Sequence, residues 1–93
     1  MKLDDLRIDI DSVDESIIRL LAKRFELTKS VGQFKAINKM EAFSQTRESE
    51  QFERFEKLSK ELELPPELVE KIFCIVRDQV RTNHKTIRSK HEC

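Results

Sequence analysis

Apolar side chains in the first third of the chain recur in strict three-four alternation: Leu3, Leu6, Ile10, Val13, Ile17, Leu20, Leu27, Val31 and Phe34, with Arg24 taking one seam position. This is a heptad seam, and it predicts one long helix over about residues 4–38, opened by the acidic pair Asp4-Asp5. The pattern loosens between Asn38 and Ala42. Ser44 or Thr46 then supplies a cap for a second helix, about 47–62, with Phe52, Phe55, Leu58 and Leu62 on one side. Leu64-Pro65-Pro66 interrupts it, and a proline at the first turn suits a third helix carrying Leu68, Val69, Ile72, Phe73, Val76 and Val80. That helix turns polar and is expected to fray from Lys85 to Cys93. There is no internal repeat and no low-complexity tract.

Helix length bears on assembly. Thirty-five residues of helix span ~52 Å, whereas a compact globule of this chain length has a diameter of ~30 Å. Two shorter helices cannot cover such a seam from within one chain. The expectation is an intertwined helical homodimer in which a second copy covers it.

Composition narrows the chemistry. The 93 residues are read as one all-α domain, 1–93, with 18 Lys plus Arg balanced by 18 Asp plus Glu. A net charge of zero gives little support to duplex DNA or an anionic membrane as partner. With one Gly and two Pro, a turn-rich β fold, a P-loop, a Gly-rich dinucleotide turn and a nucleophile elbow are all out of reach. Cys74 lies in the apolar run 72–76 and reads as a small buried hydrophobe; Cys93 is a tail thiol. His84, His91 and Cys93 lack metal-ligand spacing, so no metal and no cofactor is expected. The start of the chain has no apolar signal region, and no run approaches 18 apolar residues, which makes a cytoplasmic setting the expectation.

Three features of the first helix do not suit a simple zipper. Arg24 occupies a seam position, where an unpaired guanidinium is costly to bury. Lys35 follows eleven residues later, within about 20° of the same azimuth. Gly32, the only glycine, lies between them at a cost of about 1 kcal/mol in helix propensity, as if something approaches closely there. Arg24 paired with a carboxylate across the interface and Lys35 snorkelling is one reading; a cationic pocket for a small anion is the other. Arg7 lies ~26 Å of helix before Arg24, so only an antiparallel partner could bring it to the same pocket. Arg47-Glu48 opens the second helix, and Phe73, Val76, Val80 and His84 share the inward face of the third.

These residues, in this order, resemble the all-helical class of chorismate mutases. The resemblance runs from about residue 3 to 87 through Leu6-Arg7, Ile10-Asp11-Ser12-Val13-Asp14, Leu20-Leu21-Ala22-Lys23-Arg24, Val31-Gly32-Gln33-Phe34-Lys35 and Arg47-Glu48. It implies an intertwined homodimer with two active sites and the isomerisation of chorismate to prephenate, on the route to phenylalanine and tyrosine. It further implies that Arg24 and Arg47, with Arg7 from the other subunit, grip the two carboxylates. Lys35 would serve the ether oxygen and Glu48 the ring hydroxyl. Where the family commonly has a Gln as second donor to that oxygen, the chain offers His84, or Asn83 with a one-residue slip. Ser44 stands where an acidic residue is common, and Val80 where a small polar one is.

The inventory suits a [3,3] rearrangement, which needs a compact conformer and a stabilised ether oxygen rather than a nucleophile or a metal. The expectation is a stand-alone enzyme of this kind. An isochorismate-pyruvate lyase on the same scaffold, and a non-catalytic helical dimerisation module, are its rivals.

Overall fold

A computed structural model describes residues 2–41 and 44–92, with side chains through residue 85. The described residues form three helices: α1 over Leu3–Ile37, α2 over Gln45–Glu61 and α3 over Pro66–Glu92. Each expected helix is present within about two residues of its expected bounds, except that α3 stays helical to Glu92 where fraying from Lys85 was expected. The side chain of His91 and all of Cys93 lie outside the described residues.

Local chemistry accounts for the ends. Ser44 is the N-cap of α2, its Oγ accepting the Arg47 N–H at 3.3 Å. Both α1 and α2 close with the same hydrogen-bond pair. Met40 N–H donates to the Lys35 carbonyl at 2.7 Å and Lys39 N–H to that of Ala36. Leu64 N–H donates to Ser59 at 2.8 Å and Glu63 N–H to Lys60. Lys39 and Glu63 consequently sit in the left-handed region, with φ of 54° and 58°, where glycine is the usual occupant.

Packing is centred on α3, which touches both other helices, while α1 and α2 do not pack on each other among the described residues. Phe73 of α3 joins all three. Its ring centre lies 4.2 Å from that of Phe55 on α2, and the Arg24 guanidinium of α1 lies 5.6 Å from it. Val76 is the one large apolar residue buried among those described, and Ser59 is buried with its hydroxyl donated to the Phe55 carbonyl at 2.6 Å.

The molecule is long and thin, 58 × 25 × 15 Å. Its radius of gyration, 16.8 Å, exceeds the ~12 Å of a compact domain of this size. Only the C-terminal half of α1 is covered, along Leu21, Arg24, Phe25, Thr28, Gly32, Lys35 and Ala36. The heptad seam is a different stripe: Leu20, Leu27, Val31 and Phe34 stay exposed, as do Leu3 to Ile18. α1 therefore carries two apolar stripes, one for its own α3 and one left uncovered.

Cys74 corrects an expectation. It is exposed, because positions 73, 76, 77 and 80 face inward and 74 is turned about 100° away from 73. No described helix is long and apolar enough to cross a membrane.

Candidate active site

Each helix contributes one stripe to a cleft of about 520 Å³. Arg24, Thr28, Val31 and Lys35 come from α1, at intervals of four, three and four residues. Ser44, Arg47, Glu48, Gln51, Arg54 and Phe55 come from the start of α2, and Phe73, Arg77, Val80, Arg81 and His84 from α3. The cap at Ser44 fixes the α2 end so that the two residues after Thr46 turn their side chains into the cleft.

Charge is the outstanding property of this cleft. Six cations line it (Arg24, Lys35, Arg47, Arg54, Arg77 and Arg81) against one carboxylate, Glu48. A broader groove of about 630 Å³ between α2 and α3 shares Glu48 and Arg77 but adds Glu53 and Glu70, the wrong sign for an anion.

Arg24 is the most constrained of the six. Its Nη1 is buried with no hydrogen-bond partner, and no carboxylate of the described residues pairs with it. Burial destabilises its cation, and Arg77 and Arg47 repel it further, so its pKa is pushed down. A half-buried guanidinium that faces an aromatic ring on one side and lines the cleft on the other thus keeps the Nη1 donor unused.

Arg77 is balanced differently. Burial opposes its charge too, but the hydrogen bond and charge of Glu70, reinforced by Glu48, outweigh it and raise its pKa. Glu48 itself accepts from Arg81 Nη2 at 2.8 Å through Oε1.

His84 is buried, with Nε2 3.0 Å from the carbonyl oxygen of Thr28. A carbonyl can only accept, so this contact places the hydrogen of a neutral ring on Nε2 and leaves Nδ1 an acceptor. His84, and not Asn83, lines the cleft; Asn83 instead accepts from Gln79 Nε2 at 2.9 Å.

The structure thus brings together Arg24, Lys35, Arg47, Glu48 and His84, all singled out in the sequence. It does not bring Arg7, which is exposed on the uncovered half of α1, 3.9 Å from Asp4. Buried Gly32 lies one turn beyond Thr28, on the stripe that meets α3. Sequence reasoning missed Arg54, Arg77 and Arg81. The signal for the last two was present, since 73, 77, 80, 81 and 84 share one helical face, but an Arg at the edge of a face reads as solvated.

Comparison with known proteins fits this geometry. The family model described as chorismate mutase type II matches residues 6–85. The T-protein of Enterobacter agglomerans is 37% identical over 72 residues, which cover 77% of this chain and 19% of that protein. A bifunctional chorismate mutase/prephenate dehydratase of Aquifex aeolicus (strain VF5) is 39% identical over 61 residues, covering 66% of this chain and 17% of that protein. The chain spans less than a fifth of the length of either relative.

Proposed function

The chain belongs to the chorismate mutase type II family, an isomerase family of aromatic amino acid biosynthesis, and we propose that it converts chorismate to prephenate in the cleft around Arg24. One observation carries this reading. Arg24, Lys35, Arg47 and Glu48, the residues the family resemblance assigns to substrate, converge from two helices on one cationic cleft, with the Arg24 Nη1 left unpartnered.

The reaction breaks the ether C–O bond and forms a C–C bond within one molecule. Arg24 and Arg47 hold the two carboxylates in the folded, chair-like conformer, removing entropy that free chorismate loses on the way to the transition state. The Lys35 ammonium hydrogen-bonds the ether oxygen, which gains negative charge as the bond breaks, so the contact strengthens where it lowers the barrier. Glu48 accepts from the ring hydroxyl. His84 is the second donor to the ether oxygen, and it donates only as the imidazolium, because Nε2–H is committed to Thr28.

The dimer completes the site. The uncovered seam of α1, from Leu3 to Leu20, is longer and more apolar than an isolated chain leaves in water, and a second copy is its occupant. In that arrangement Arg7 of the partner subunit reaches the cleft as a further carboxylate ligand. The setting proposed is the cytoplasm.

Chorismate disappearance under ultraviolet light tests the reading, with isochorismate in a parallel assay. Lys35→Ala should remain helical by circular dichroism and lose two to three orders of magnitude in kcat, ~3–4 kcal/mol of transition-state stabilisation. Release of pyruvate from isochorismate with chorismate untouched would instead favour the lyase. No turnover of either, by a folded protein, would reduce the chain to a binding or dimerisation module.

A further inference from the structure

Arg81 is not among the residues the family resemblance assigns to substrate, yet it is tied into the cleft on two sides. Its Nη2 donates to Glu48 Oε1 at 2.8 Å, across 33 residues of sequence and from α3 to α2. Its Nη1 donates to Asp78 Oδ1 at 3.3 Å, one turn earlier on its own helix. A guanidinium with five donors in a rigid plane is suited to such a bridge, since fixing one edge aims the other.

The consequence falls on Glu48. Its side chain is about one-third exposed and projects into a cleft otherwise lined by cations, any of which could draw it aside. Arg81 holds Oε1, while Oε2 takes no hydrogen bond among the described residues. The pair is itself half-exposed at Arg81, so it adds little to stability. What it does fix is where the free oxygen points.

We propose that Arg81, braced by Asp78, is a positioning residue that holds the Glu48 carboxylate with Oε2 presented to a substrate hydroxyl, and so helps select substrates carrying a hydroxyl at that place. This rests on the reading of the cleft as a chorismate site. Arg81 acts through Glu48 and does not touch the substrate.

The test is a double-mutant cycle on the full chain with chorismate as substrate, using Arg81→Met, Glu48→Gln and the pair. Arg81→Met should lower kcat/KM about tenfold, chiefly through KM, and Arg81→Lys should recover most of that loss. In the Glu48→Gln background Arg81→Met should change kcat/KM less than about twofold, because the group it positions is gone. Equal losses in both backgrounds, or full activity of Arg81→Met, would overturn the proposal. A crystal structure of Arg81→Met reads the positioning without any turnover: Glu48 should have left its place in the cleft, and an unmoved carboxylate would overturn the idea as well. A wild-type chain inactive on chorismate, with Glu48 displaced in Arg81→Met, would sink the substrate assignment and leave the positioning standing.

Discussion

The ring of His84 reaches 56 residues back along the chain to place Nε2 3.0 Å from the Thr28 carbonyl, fixing which nitrogen is free to meet a ligand. That free nitrogen accepts when the ring is neutral and donates when it is charged, so a His84 that serves the ether oxygen makes turnover depend on pH. The dependence is read in kcat, which reports the enzyme–substrate complex, more than in kcat/KM. Turnover should be higher at mildly acidic pH than at neutral pH, and His84→Gln, a neutral donor, should flatten the profile. A flat wild-type profile together with a fully active His84→Ala variant would remove His84 from the mechanism.

Arg24 poses a conflict between stability and activity. Burial and two neighbouring cations press on it, and no carboxylate among the described residues pairs with it. Arg24→Met keeps the volume and the contact with the Phe73 ring while removing the charge. Its melting temperature should rise by a few degrees as its activity disappears, the pattern of a strained binding residue. A variant that melts lower would mean that the guanidinium contributes more to the fold than its missing partner suggests.

Arg7 offers a test of shared sites. Mixing Arg7→Ala with Arg24→Ala chains, each inactive alone, and allowing subunits to exchange gives mixed dimers with one intact site of two. Mixed dimers form half of a random population, so about a quarter of wild-type activity should return. Activity that stays at the level of the parents would mean that Arg7 does not serve the site of the partner subunit.

Lys39 and Glu63 hold left-handed positions that favour glycine. Lys39→Gly and Glu63→Gly should each stabilise the chain by about 0.5–1 kcal/mol, read from urea unfolding, without altering kcat. No gain at either would show that these turns are relaxed by contacts beyond the backbone.

These turns also mark what the sequence did not disclose. Helix starts were legible because Ser44 and Pro65-Pro66 are chemically specific signals. The ends of α1 and α2 were not: the single glycine lies inside α1 at Gly32, so residues without a turn signature close both helices. The stripe of α1 that meets α3 was not legible for a related reason. The strongest periodicity of α1 belongs to the exposed seam of Leu20, Leu27, Val31 and Phe34, while the stripe that meets α3 breaks up Leu21, Phe25 and Ala36 with Arg24, Thr28, Gly32 and Lys35, so a hydrophobic count picks it out only weakly. Of the site, spacing put Arg24 and Lys35 on one face of α1 and Arg47-Glu48 at the start of α2, and the family resemblance joined them into one site. Arg77 and Arg81 could not be placed in it, because each reads as a solvated arginine until Glu48 arrives from α2.

The bare half of α1 makes survival of the fold a matter of molarity. If the second copy supplies what that helix lacks, dilution removes apolar cover and a ligand arginine in one event, and no folded, half-competent species remains to accumulate. Melting temperature should then climb with protein concentration, and a scarce pool of the chain should be trimmed first by proteases at the end where Leu3 to Ile18 lie open.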